Sequence, residues 1–185
     1  STLSDQYEVL IYIRGIEMSF FTKTEARQAA NNVTASTESF SLKLESLTKM
    51  QESSSSFDIF LSHSILDAQL VLGIQKLLRD RGFTVYIDWV EDRQLSRNHI
   101  TPETAKVLKK RMQQSTVLLY LATESATNSK WMPWELGVFD GMKPNKVGIL
   151  PVQDTPYESF NGQEYLGLYP AIQKEHIRQF VNPYI

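Results

Sequence analysis

From Phe57 onward the chain alternates short, uniformly apolar runs with amphipathic stretches, and few folds accept that pattern. The runs are FDIFLSH, FTVYIDWV, TVLLYLAT and KVGILPV. Between them, DAQLVLGIQKLLRDRG sets Leu70, Ile74, Leu77 and Leu78 on one helical face and stops at Gly82. PETAKVLKKRMQQS opens on Pro102, which a first helical turn accepts. SKWMPWELGVFDGMK and QKEHIRQFVNP read as two further helices, and YLGLYPAI as a weaker strand or an irregular segment. A strand that is apolar on both faces must be covered on both faces. Strand–helix alternation supplies that cover by forming a parallel sheet between two helical layers. The spacing predicts an α/β domain with about five parallel strands.

The serine run ESSSS (Glu52 to Ser56) separates this pattern from what precedes it. The reading is therefore an N-terminal helical extension over residues 1–52, a linker over 53–56 and the α/β domain over 57–185. In the extension, Val9, Ile13, Ile16 and Phe20 recur at helical spacing, with Gly15 weakening the pattern. TKTE has the form of a capping box, in which Thr22 caps and Glu25 reaches back. After it Ala26, Ala30, Val33, Thr37, Phe40, Leu44 and Leu47 form a narrow heptad stripe. Two readings stand: a long helix lying on the main domain, or a helix for self-association.

Composition excludes more than it selects. A net charge of −2 gives no global attraction to nucleic acid or anionic lipid, and the basic stretch LKKR reads as a solvated helix face. No run approaches the ~20 apolar residues of a membrane helix. There is no cysteine, hence no disulfide framework and no zinc–thiolate site. The opening STLSDQYEVL has neither an initiator Met nor a secretory pattern, so the expectation is a trimmed piece of a cytoplasmic protein. The eight glycines never form GxGxxG or a P-loop. The three histidines are scattered and none begins HExxH, so no metal site is expected. SHS lacks the GxSxG nucleophile elbow. The strand ends also lack the acidic pair and acceptor aspartate of a response-regulator receiver.

In open parallel sheets ligands sit outside the carboxyl ends of the strands. The loops SHSILD, DWVEDRQLSRNHI and ATESATNSKW lie there, with His63 and Asp88 at strand ends, and the third loop leads into SKWMPWELG. On a helix Trp131 and Glu135 share a face. An indole offers a flat platform for a purine or nicotinamide ring. A carboxylate beside it can stabilise the oxocarbenium-like centre that forms when an N-ribosyl bond breaks. The other reading is a core tryptophan with a solvated helix glutamate.

These motifs together resemble a bacterial TIR domain. FDIFLSHS resembles that family's first box, GFTVYIDW its second strand, STVLLYLAT its third, and SKWMPWEL the helix carrying its WxxxE. The resemblance covers residues 57 to about 150 and extends to the end. It implies a flavodoxin-like fold and an enzyme that cleaves NAD at the nicotinamide–ribose bond, releasing nicotinamide and ADP-ribose or a cyclic or conjugated derivative. NAD is then the substrate, and no cofactor is implied. The family's catalytic glutamate falls on Glu135. The implied NAD-binding residues are Ser62, His63, Ser64, Asp88, Arg93 and Trp131, with Arg93 in the mobile BB loop of about residues 91–101. Departures fall in the loops: SHSILD keeps only Asp67 of an acidic pair, Trp89 replaces an acid, and the BB loop lacks its glycine. YLGLYPAI resembles stand-alone TIR proteins of Thoeris antiphage systems. The resemblance also implies a homo-oligomer in the cytoplasm, with no nucleic-acid or membrane partner. Some members of the family are non-enzymatic and only bind other TIR domains, so an interaction module is the alternative.

Overall fold

A computed structural model of the protein describes residues 19–34, 51, 53–88 and 101–184. Its strands are β1 (Phe21–Thr22), β2 (Phe57–Ser62), β3 (Val85–Tyr86), β4 (Ser115–Ala122) and β5 (Val147–Gln153). Its helices are α1 (Lys23–Thr34), α2 (Ala68–Asp80), α3 (Pro102–Gln113), α4 (Trp131–Met142) and α5 (Ile177–Val181). All strand pairs are parallel, in the spatial order β1-β5-β4-β2-β3.

The apolar runs become strands because their side chains find cover on both faces. Ile59, Leu61, Val117, Leu119 and Leu121 turn to one core, shared with Leu70, Ile74 and Leu78 of α2 and with Ala26 and Ala30 of α1. Phe60, Leu118, Tyr120 and Ile149 turn to the other, under Leu108 and Met112 of α3 and Met132, Leu136 and Phe139 of α4. The helix ends follow their local chemistry. Thr101 caps α3 by accepting from Thr104 N at 3.2 Å, with Pro102 beside it. Beyond α2, Gly82 takes a φ of 88°, which terminates the helix without a Cβ penalty. Lys143 donates to the carbonyls of Met112, Gln113 and Ser115, which closes the C-terminal end of α3.

The first strand corrects the sequence reading. The segment taken as a helical extension contributes β1, which pairs with β5 through Phe21–Val152 and Thr22–Gln153. A flavodoxin-like sheet has the order 2-1-3-4-5. Here β3, β2, β4 and β5 fill the first four places, and the strand that comes first in the chain fills the fifth. YLGLYPAI does not supply that strand. It forms a 3-10 turn over Glu164–Leu168 and a single bridge between Ala171 and Ile149. Phe20 lies outside any helix, and the remainder of the first helical pattern lies outside the described residues.

The capping box forms as read: Thr22 Oγ1 accepts from Glu25 N at 3.1 Å, and Glu25 Oε2 accepts from Thr22 N at 2.8 Å. The segment is also tied to the chain's end. Glu175 accepts from Ser19 N at 3.1 Å, and Lys174 pairs with Glu25 at 2.9 Å. Of the heptad stripe, Ala26 and Ala30 pack on the domain itself, and the positions beyond Thr34 lie outside the described residues.

Helix α1 approaches α2 so closely that Gly73 has no room for a side chain. A Cβ there would stand 1.7 Å from the Ala26 carbonyl oxygen. Backbone cannot yield as a side chain can, so Gly73→Ala is expected to destabilise by the ~3 kcal/mol upper range of overpacking. Chemical denaturation measures it. A loss near zero would mean that α1 is held loosely.

Candidate active site

Glu135 lies in the second turn of α4, and its burial is set by where that helix begins. Pro133 sits in the first turn, where its missing N–H costs nothing. Ser129 Oγ accepts from Met132 N at 3.3 Å. From this start, α4 directs Glu135 at the carboxyl end of β2 and buries it to 6% exposure. Ser62, the last residue of β2, donates its hydroxyl to Glu135 Oε2 at 2.5 Å. A buried carboxylate is costly without donors, so this serine both offsets burial and fixes the orientation of the acid.

The remaining residues singled out from the sequence are spread over several elements. Trp131 opens α4, half-buried, and meets Trp134 edge-on at 5.4 Å and 78°. His63 and Ser64 are both buried, and each side chain has a hydrogen bond close to it in the chain. His63 Nδ1 donates to the Leu61 carbonyl at 2.9 Å, and Ser64 Oγ accepts from Leu66 N at 3.4 Å. Asp88, half-buried, follows two residues after Tyr86. Tyr86 itself pairs with Phe60, two residues before Ser62. Arg93 lies outside the described residues.

Two sets of contacts escaped the sequence reading. Asp67, 7% exposed, accepts from the Thr123 hydroxyl at 2.5 Å and ties the loop after β2 to the loop after β4. Tyr120, the register partner of Ser62 on β4, joins its hydroxyl to that of Tyr165 at 3.2 Å, and Tyr165 donates to Gln163 Oε1 at 2.5 Å. Burial first, then the Tyr165 hydrogen bond and the nearby Glu135 charge, push the Tyr120 phenol well above its ordinary range. It therefore stays neutral at any physiological pH. A signal existed in the sequence: a tyrosine inside TVLLYLAT must find a partner for its hydroxyl once buried.

Among the described residues no three His, Cys, Asp or Glu side chains gather as a metal site, and no helix is long and apolar enough to cross a membrane. Chemically, the site offers one oriented, buried carboxylate at the mouth of a parallel sheet, on a helix that also carries the Trp131–Trp134 pair. Such a group stabilises developing positive charge or takes up a proton.

Trp131→Ala separates packing from substrate contact. A half-buried indole with one edge-on partner should cost about 1–2 kcal/mol, with ~0.5–1.5 of it from the aromatic pair. A fully buried tryptophan costs ~3–5 kcal/mol. A melting curve showing the larger loss would make Trp131 a core residue first.

No protein-family model matches the chain. Among curated proteins it is 47% identical over 148 residues to the probable 3′ cyclic ADP-D-ribose synthase ThsB′ of Bacillus cereus (strain MSX-D12), covering 80% of this chain and 71% of that protein. It is 29% identical over 109 residues to the putative cyclic ADP-D-ribose synthase TIR2 of Cytobacillus dafuensis, covering 56% of this chain but 29% of that protein. A solved structure, the TIR domain of the Toll-related receptor TRR-2 from Hydra magnipapillata, aligns over 68% of this chain and 92% of its own at 12% identity, with a TM-score of 0.44.

Proposed function

We propose a function from one premise: this chain belongs to the bacterial TIR-domain family. It is an enzyme that consumes NAD by breaking the nicotinamide–ribose N-glycosidic bond. It works in bacterial antiphage signalling of the Thoeris kind and yields a cyclic ADP-ribose product. Two relatives with cyclic ADP-ribose synthase in their names support the product class. The observation that carries the reading is that Glu135, the residue on which the resemblance puts the family's catalytic glutamate, is buried to 6% and held by Ser62 at 2.5 Å.

As the bond breaks, nicotinamide leaves with the electron pair as a neutral base, and positive charge grows on the ribose. Glu135 stabilises that charge, and Ser62 keeps the carboxylate aimed at it. Trp131 flanks the reacting end. His63 and Ser64 shape the loop that faces it, while Asp88 and Arg93 bind the substrate from the next loop. NAD is the substrate, and the reaction needs no cofactor or metal. The protein acts in the cytoplasm, as a homo-oligomer, without a nucleic-acid or membrane partner.

Incubation of the purified protein with NAD, followed by chromatography, tests the proposal. Free nicotinamide and an ADP-ribose derivative are expected. A folded protein that releases no nicotinamide at any concentration would instead be an interaction module.

A further inference from the structure

A cavity of about 370 Å³ opens at the carboxyl ends of β4 and β5, within the roughly 300–1,000 Å³ of small-molecule sites. Tyr120 is part of its wall, and the Glu135 charge acts on the Tyr120 hydroxyl. Tyr120 is also the register partner of Ser62. Neighbouring strands lie ~4.8 Å apart, which puts the cavity about one to two strand spacings from the Ser62–Glu135 pair. We propose that this cavity takes the adenosine end of the dinucleotide, folded back toward the bond being broken, and so directs the reaction to a cyclic product. The proposal rests on the NAD-cleaving reading above.

Chemistry selects which part of NAD enters. The floor is apolar, built from Ala122, Ala126 and Leu166, and Phe160 adds an aromatic face. Gly162 lets that ring lie against its own loop, since a Cβ there would stand 2.5 Å from Phe160 Cζ. A flat purine suits such a wall. The rim is acidic: Glu124, Asp154 and Glu158 line it with one cation, Lys23, which bonds Glu124 at 3.1 Å and Asp154 at 3.2 Å. That rim disfavours the anionic pyrophosphate. The nicotinamide end is required at Glu135, which leaves the neutral adenosine.

Ring closure then follows from placement. The C1–N bond to nicotinamide breaks, and its electron pair leaves with the neutral base. A hydroxyl oxygen of the adenosine ribose forms the new bond to C1 and releases its proton to water. The attacking oxygen must come within about 3–3.5 Å of C1, which an extended dinucleotide cannot do and an adenosine anchored beside Tyr120 can. Without the anchor, water takes that place and the product opens.

The test uses the whole chain and two variants. Phe160→Ala removes the aromatic wall. Asn161→Trp fills the cavity from an exposed position of its lining, and a melting curve checks that it folds. The readout is the fraction of cyclic product per nicotinamide released, with titration of adenosine alone as a second measurement. Loss of one base–aromatic stack, ~1–3 kcal/mol, should lower both the cyclic fraction and the adenosine affinity by roughly tenfold or more. An unchanged cyclic fraction in both folded variants, or a wild type that makes only open ADP-ribose, overturns the proposal and leaves the enzyme reading intact. A wild type that releases no nicotinamide overturns both.

Discussion

Glu135→Gln lowers nicotinamide release by roughly 10²–10³-fold, the usual cost of one electrostatic stabiliser, while the melting temperature holds or rises. Both effects come from the same burial. At 6% exposure the carboxylate is kept from water and from screening, so its charge acts strongly on a developing cation. The same burial makes it costly to the fold. Glutamine keeps the shape, its amide oxygen can still accept the Ser62 hydroxyl, and the buried charge is gone. Nicotinamide release measured beside a melting curve checks both halves. Near-wild-type turnover in the folded variant would remove Glu135 from the chemistry.

A chain that begins at Ser53 fails to form a stable domain and loses NAD turnover with it. Its missing residues include β1, the edge strand on β5, and α1, the cover of α2. Phe21 alone is 1% exposed, and burying a phenylalanine contributes about 1.5–3 kcal/mol. Ala26 and Ala30, at 0% and 1% exposure, add to it. Their loss also bares the apolar surface of α2 and the unpaired edge of β5, a template for aggregation. Against a typical stability of ~5–15 kcal/mol, these losses are decisive. Solubility, circular dichroism and thermal unfolding of the shortened chain give the answer. Cooperative unfolding at the full-length temperature would show that residues 19–34 are an ornament on a complete domain.

The sequence by itself determined the layered α/β architecture, because uniformly apolar runs can be buried only between two helical layers. Among the described residues it also determined four of the five strands, and it put Glu135 on the helix that follows the third apolar run. Local rules held as well, in the Thr22–Glu25 box and at Pro102 and Gly82. The fifth strand is different. Phe21–Thr22 is two residues long, too short for any periodicity, and it is a strand only because β5 offers an unpaired edge. The contact that admits α1 is likewise invisible in order of sequence, since Gly73 and Ala26 meet only when the helices pack. The partners of Glu135 were decided the same way. Ser62 stood among three loop residues of equal standing, and the register of β2 and the start of α4 gave it the carboxylate, while His63 bonds to the Leu61 carbonyl and Ser64 to the Leu66 N–H. Periodicity records which side chains need burial. Which groups meet across 73 or 101 residues, as Ser62 with Glu135 and Lys23 with Glu124 do, is set by strand order and helix packing, which pattern alone does not encode.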